Sequence, residues 1–316
     1  MIFQNITEGA GYFLMGIDGV CLFMRKNKRF LQALLIISII FLLIAVTQII
    51  GLYFHRDDDT GFVHGTAETI EGKTIVVSMF VSDGNYSWDQ TNSDDLSTIS
   101  NVKKYLSIAA DYMEDTASSY GVEAEFVTDF DENTDLIYYF TTQTDMEGET
   151  NIDDTVWTYI ENNISTTDLM EKYNADNVVF LAVMNTDEKS SAITCTRNWY
   201  EGMPYPYEIV YLYNYDYGEI NPPAVYAHEI YHAFGAPDLY AVDESFGIDS
   251  DDLEYFQNNL SNDIMLTCSD QSTGAYLYDK ISNETSELTA YYIGLTSSST
   301  TKDTLGLSDS EHVTID

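Results

Sequence analysis

Basic side chains are scarce in this chain of 316 residues. It holds 13 Lys and Arg against 52 Asp and Glu, which gives a formal net charge of −39. Nucleic-acid binding requires a basic surface that displaces counterions from phosphates, so this balance excludes a nucleic-acid partner. The hydrophobic fraction of 45% argues against disorder and predicts a folded protein with a solvated acidic surface.

Cysteine is also scarce, with Cys21, Cys195 and Cys268 as the complete set. Their spacing excludes a cysteine-based metal site. Cys21 is expected to be a reduced thiol or a lipidation site. Cys195 and Cys268 can form one disulfide in an oxidising compartment, but the sequence does not show that they approach each other.

One long segment, residues 30–54, lacks charge altogether. At about 1.5 Å per residue it reaches roughly 37 Å as a helix, enough to cross a bilayer core of about 30 Å. The alternatives are a buried helix of a soluble core and a cleaved signal peptide, but the latter is shorter and ends in small residues. The basic cluster "RKNKR" precedes the segment and should stay in the cytoplasm. The prediction is a single-pass plasma-membrane protein, favouring a bacterial cell surface.

The predicted organisation follows from that anchor. We expect the chain beyond the anchor to lie outside the cytoplasm, with one domain between a linker and a tail. The predicted segments are a cytoplasmic tail at 1–29, the transmembrane signal anchor at 30–54, a linker at 55–72, the domain at 73–298 and a C-terminal tail at 299–316.

Apolar patterns alternate along the domain between strand and helix. Strands are predicted at 74–83, 122–130 and 177–184, and in the runs "SAITCT" and "EIVYLYN". Helices are predicted at 94–120, at 152–173 and, near the end, at 286–295. The order indicates an α/β (α+β) fold class, a mixed sheet with two long helices and a small irregular C-terminal subdomain.

The run "HEIYHAFGAPDLY" (228–240) carries the chemistry. His228 and His232 are four residues apart, so one helix face can direct both imidazoles at one ion. Glu229 sits beside that face and can take a proton from water without binding the metal. Gly235 lets the chain leave the helix, and Asp238 can then return as a third ligand. The alternative without a metal site is a surface helix with two exposed imidazoles.

This run resembles the zinc signature of metzincin-clan metallopeptidases that use aspartate as third ligand, and "GAPDLY" is similar to the immune inhibitor A-type peptidases. The run "NDIML" (262–266) resembles the clan's Met-turn, which implies that Met265 lies beneath the metal. The resemblance covers roughly residues 73–298, with these two motifs as its specific part. It implies a metzincin-like zincin domain whose active-site helix carries the metal ligands.

Several positions depart from the pattern or leave alternatives. Asp243 or Glu244 could replace Asp238 as a ligand. Position 267 is Thr where some metzincins have a tyrosine that helps bind the transition state, and Tyr276 or Tyr278 could substitute. The acidic loop 241–256 offers oxygen ligands suited to Ca²⁺, but its spacing does not match an EF-hand, and a solvated loop is the alternative.

The sequence therefore predicts a membrane-anchored, extracytoplasmic zinc endopeptidase with a protein or peptide substrate. His228, His232 and Asp238 would hold Zn²⁺, and Glu229 would act as general base. The alternative is a binding or adhesion module on a peptidase scaffold that no longer cuts. A metalloenzyme acting on a non-peptide bond is a third option.

Overall fold

The computed structural model describes residues 67, 69–146, 152–185, 194–196, 208–216 and 218–310. The predicted cytoplasmic tail, the anchor at 30–54 and most of the linker fall outside these residues. Among the helices that the structure describes, none combines the length and the apolarity needed to cross a membrane.

A largely parallel sheet organises the domain. Its strand order is β2–β1–β4–β6–β5, and β3 pairs with β1 further along the same edge. Each pairing is parallel except that of β5 with β6, which is antiparallel. The strands are β1 Gly72–Ser82, β2 Ala124–Val127, β3 Ile137–Thr141, β4 Asn177–Met184, β5 Thr194–Thr196 and β6 Glu208–Tyr213.

The centre of the sheet follows from its apolar sequence. Strand β4 reads NVVFLAVM, and every one of its side chains is buried. It pairs with β1 on one side and with β6 on the other. A parallel strand covered on both faces is expected to be apolar throughout rather than alternating. A separate two-stranded sheet, β7 Tyr215–Asp216 and β8 Glu219–Ile220, follows β6.

Seven helices lie within the described residues, and two of them position the candidate site. The long helix α1 begins after Asn92, whose side chain accepts a hydrogen bond from the Asp94 N–H. It packs against α4, which also lies against β5 and β6. The helices are α1 Ser93–Ser119, α2 Ile152–Asn163, α3 Thr166–Tyr173, α4 Pro223–Ala233, α5 Ser250–Asn259, α6 Glu287–Tyr292 and α7 Thr300–Leu305.

The second predicted long helix, 152–173, is wrong in one respect, because the structure divides it into α2 and α3. The helix stops after Asn163, and Ser165 has non-helical backbone angles before α3 begins. Asn, Ser and Thr are poor formers of helix interiors because their side chains compete for the backbone. The predicted mixed α/β domain is confirmed, with one long helix and a shorter broken pair.

Candidate metal centre

Helix α4 carries the histidines, and its local sequence explains its position. Pro222 is the N-cap and Pro223 is the first helical residue, where the missing N–H costs nothing. All of its side chains are buried except that of His232, which is partly exposed. Such burial on all sides fits a helix enclosed between the sheet and α1. His228 and Glu229 are therefore buried rather than on a surface, and His232 is partly exposed.

Main-chain carbonyls fix the tautomers of both imidazoles. His228 Nδ1 lies 2.9 Å from the carbonyl oxygen of Ile264, and His232 Nδ1 lies 2.6 Å from that of Ala236. A carbonyl can only accept, so both Nδ1 atoms carry the proton and donate. When the imidazoles are neutral, each Nε2 atom therefore carries the lone pair that a metal ion would bind. This is the outer-shell arrangement that metal-binding histidines usually have.

The chain turns sharply after α4 and brings Asp238 back to the imidazoles. Gly235 has φ of 105°, a conformation that side chains other than hydrogen rarely allow. The Leu239 N–H then donates to the carbonyl of Met265 at 3.0 Å, which ties down the residue next to Asp238. As a result, Asp238 Oδ1 lies 3.2 Å from the Nε2 atom of each histidine.

Three acceptor atoms thus form an almost equilateral triangle. The two Nε2 atoms are 3.1 Å apart, and Asp238 Oδ1 is 3.2 Å from both. Two nitrogens and one oxygen bound to a single tetrahedral zinc at about 2.0–2.2 Å would be separated by roughly 3.3–3.5 Å. Asp238 Oδ1 is also buried, and both imidazoles approach it. Three lone pairs at this separation fit a cation between them.

Glu229 lies beside the triangle rather than in it. Its Oε1 atom is 3.9 Å from His228 Nε2, and its side chain is almost fully buried. Its other oxygen, Oε2, is buried with no hydrogen-bond partner among the residues described. With the two histidines, Glu229 belongs to a group whose ligand atoms lie close enough to hold a metal ion. An unsatisfied buried carboxylate oxygen is costly and therefore points to a functional use.

The pKa values show how strongly the metal-free site attracts positive charge. Burial raises the pKa of Asp238, but hydrogen bonds from His228 and His232 outweigh burial and hold it well below 3.8. Burial lowers the pKa of His228, whereas Cys268 and Asp238 raise it, so the net pKa lies well above 6.5. Both shifts in pKa mean that, without a metal, a protonated His228 beside an ionised Asp238 is favoured. Burial also raises the pKa of Glu229 above 4.5, against the opposing effect of the imidazoles.

Met265 lies in a tight turn, residues 263–266, that we call the Met265 turn. The Leu266 N–H donates to the Asp263 carbonyl at 3.0 Å, which closes it. Met265 is fully buried. The Met265 turn contacts the site through its main chain, since Ile264 accepts from His228 and Met265 from Leu239. That Met265 supports a metal ion from beneath stays a prediction.

Sequence patterns did not reveal three neighbours of the imidazoles. Tyr240 stacks on the His228 ring with centroids 6.2 Å apart, although its side chain is largely exposed. Burial and the nearby Asp238 carboxylate raise the pKa of its hydroxyl. Cys268 is a free thiol whose Sγ lies 3.9 Å from the Ile264 carbonyl oxygen, and it raises the pKa of His228. The third neighbour is the Ile264 carbonyl. The sequence offered one signal for such a neighbour, which is that Tyr240 lies two residues after Asp238.

The alternative candidates have other roles in the structure. Asp243 accepts hydrogen bonds from the main chain and hydroxyl of Ser245, which makes a local turn. Tyr278 donates its hydroxyl to the Ile220 carbonyl at 3.0 Å. In the acidic loop, Asp249 and Asp252 form a capping box at the start of α5. These loop carboxylates are used for capping and turns, and Ca²⁺ binding gains no support from them.

Comparisons with protein-family models and curated proteins do not assign a function, so the interpretation rests on the residues of the site. No protein-family model matches the chain, and no curated protein matches it in sequence. The resemblance is therefore confined to the motifs, and what the structure adds is a group of His228, Glu229 and His232 that could hold a metal ion.

Proposed function

We propose that this protein is a zinc-dependent endopeptidase. The observation that carries the proposal is the triangle of three potential ligand atoms, His228 Nε2, His232 Nε2 and Asp238 Oδ1, at 3.1–3.2 Å. Two imidazoles and one carboxylate suit zinc, and a set of three protein ligands leaves a fourth position open. When bound, zinc would polarise the scissile carbonyl and lower the pKa of water.

Glu229 would move the proton in this reaction. Its unpartnered Oε2 atom would accept a proton from the water whose oxygen bonds to the peptide carbonyl carbon. The same oxygen would return that proton to the amide nitrogen as the C–N bond breaks, leaving a carboxylic acid and an amine. Because burial raises its pKa, Glu229 is a stronger base than an exposed glutamate once ionised.

Tyr240 would assist at the substrate carbonyl. Its stacking on His228 places an exposed ring at the edge of the metal group, and its hydroxyl stays close to Asp238. We propose that this hydroxyl donates to the carbonyl oxygen as negative charge develops there. Tyr240 would then take the role expected of the tyrosine missing at position 267.

Two surfaces beside the site support a peptide as substrate. Strand β5 lies against α4 and, within the described residues, pairs with β6 alone. An extended peptide can pair with such an edge through its main chain, whatever its sequence. Val242 is exposed close after Tyr240, so apolar side chains of a substrate would find partners there.

We propose further that residues 30–54 anchor the protein in a plasma membrane, with the catalytic domain outside the cytoplasm. The support is the uncharged run preceded by basic residues. Substrates would then be proteins or peptides at the surface of a bacterial cell.

Cleavage of an unfolded polypeptide by the zinc-loaded, full-length protein tests the proposal. The Glu229→Ala variant should bind zinc like the wild type and lose about 10²–10⁴-fold in rate, the usual contribution of a general base. Glu254→Ala, which removes an exposed glutamate on α5, is the matched control and should cleave normally. Equal cleavage by Glu229→Ala and wild type would refute the assignment.

A further inference from the structure

Asp263 is a buried carboxylate in a part of the chain with little regular structure. Its exposed fraction is 2%, and it lies between α5 and α6. Both oxygens are engaged. Oδ1 accepts from the Met265 N–H at 2.7 Å, and Oδ2 accepts from the Ser286 N–H and the Thr289 hydroxyl, each at 2.8 Å. All three of these donors are uncharged, so the charge in each bond is that of the Asp263 carboxylate. Hydrogen bonds to an ionised carboxylate are about twice as strong as those between neutral groups.

The neighbouring main chain connects this carboxylate to the metal centre. The residue after Asp263, Ile264, gives its N–H to Glu284 at 2.8 Å and accepts from His228 Nδ1 at 2.9 Å. The next residue, Met265, accepts from the Leu239 N–H at 3.0 Å. The carbonyls of Ile264 and Met265 thus hold His228, which belongs to the triangle, and Leu239, which follows Asp238.

A turn without a helix or strand around it needs its own constraint. Asp263 bonds to the turn at Met265 and to the start of α6 at Ser286, so it joins the two. If this bridge is lost, the Ile264 bond to Glu284 and the Leu239 bond to Met265 remain, but the turn between them has fewer constraints and the Ile264 carbonyl can shift relative to the imidazole it orients. Groups that bond a metal ligand directly typically change metal affinity by about 10- to 100-fold when removed, and Asp263 acts through such a group, the Ile264 carbonyl.

We infer that Asp263 is a positioning residue of the metal centre: its carboxylate holds the Met265 turn so that Ile264 and Met265 orient His228 and the Asp238 loop. The inference rests on the metal-binding part of the proposed function. It does not depend on peptide cleavage.

The variant Asp263→Asn tests it, because the amide retains one acceptor and turns an NH₂ group towards donors. We expect a folded protein whose zinc dissociation constant, measured against a competing chelator, rises about 10- to 100-fold. The visible absorption bands of the Co²⁺-substituted protein should change as well, because they report the geometry of the ligands. Unchanged zinc affinity and an unchanged cobalt spectrum in a folded Asp263→Asn variant would overturn the inference.

A matched control separates positioning from general destabilisation. Glu208, at the start of β6, is 1% exposed and accepts the Ala67 N–H at 2.9 Å. Glu208→Gln also removes a buried charge that holds the main chain, yet it should leave zinc affinity and the cobalt spectrum unchanged. Equal losses of zinc affinity in the two folded variants would indicate a purely structural role for Asp263.

A milder variant is available if Asp263→Asn does not fold. Thr289→Val keeps the side-chain shape and removes one donor to Oδ2. The zinc dissociation constant should then rise roughly 2- to 10-fold, the effect of one hydrogen bond. Unchanged affinity in this folded variant would count against Asp263 as well. A wild type that binds zinc but cuts no peptide would refute the peptidase proposal alone.

Discussion

The sheet and the segment after α4 are held together in different ways. In β4 every side chain is buried, and five of its eight residues are Val, Phe or Leu. Between residues 262 and 286, single polar side chains fix the main chain instead. Asp263 bonds to Met265 and Ser286, and Asn283 donates to the carbonyls of Thr267 and Ser269. The sheet is stabilised by many similar contacts, whereas the later segment depends on a few specific ones.

This difference explains how the candidate site is divided. The sheet and α1 support α4, which supplies His228, Glu229 and His232. The turn directly after α4 supplies Asp238, and the segment between residues 262 and 286 supplies the Ile264 carbonyl that orients His228. We therefore expect substitutions in the sheet to lower the free energy of unfolding while leaving the site intact. Substitutions in the later segment should affect metal binding more than stability.

Replacing Asp238 should give the largest effect. Asp238→Ala removes one corner of the triangle, so zinc affinity should fall by more than the roughly 10- to 100-fold seen for outer-shell partners. Competition with a chelator measures it. Asp243→Ala is the control, since that carboxylate only closes a turn with Ser245. A folded Asp238→Ala protein that binds zinc as tightly as the Asp243→Ala control would place the third ligand elsewhere.

Replacing Phe180 tests the opposite side of the comparison. Phe180 is fully buried in β4, and Phe180→Ala should lower the free energy of unfolding by about 3–5 kcal/mol. Urea denaturation measures this loss. The folded variant should still bind zinc with wild-type affinity. A folded Phe180→Ala protein without zinc would show that the sheet and the site are not separable.

Removing the Tyr240 hydroxyl tests whether it donates a hydrogen bond to the substrate carbonyl. Tyr240→Phe retains the ring that stacks on His228, so zinc content should not change. The value of kcat should fall by roughly 100-fold, near the lower end for the loss of one transition-state donor. Steady-state kinetics decide the matter, with KM expected to change little. A wild-type kcat would remove Tyr240 from the mechanism.

The smallest expected effect concerns the metal-free protein and pH. The pKa of Asp238 is lowered, so its contribution to stability is present above about pH 3.8 and lost as pH falls. The pKa of His228 is raised, so its contribution is present below pH 6.5 and lost as pH rises through the raised value. The pair should stabilise most between these values.

Chemical denaturation of metal-free wild type and Asp238→Asn across pH tests this expectation. The difference in stability between them should be largest from about pH 4 to 6.5. A difference that does not vary with pH would mean that the pair is not coupled in the folded state.

Local sequence patterns predicted the regular elements that have a strong apolar pattern. The prediction of 177–184 coincides with β4, and 94–120 lies within one residue of α1. Strand β3 was missed because only Phe140 of its five residues is buried, so its apolar pattern is weak. Helix α5 was missed because Phe256 is its one buried apolar residue, so its apolar pattern is weak, although the spacing of Asp249 and Asp252 signals a capping box.

Residue types also predicted which side chains meet at the site, but not what orients them. The spacing of His228 and His232, with the turn at Gly235, was enough to bring Asp238 to the imidazoles. The carbonyls of Ile264 and Ala236 leave no trace in the sequence, because every residue has a carbonyl. Tertiary packing alone determines which ones face Nδ1.

The most direct test of the central claim is the metal content of the full-length protein. It would be purified in detergent without chelator, supplied with zinc, and measured beside His232→Ala. The account predicts about one zinc per chain, because the triangle forms one site, and its loss in the variant. A folded, zinc-supplied wild type that contains no zinc would contradict both the metal centre and the peptidase proposal.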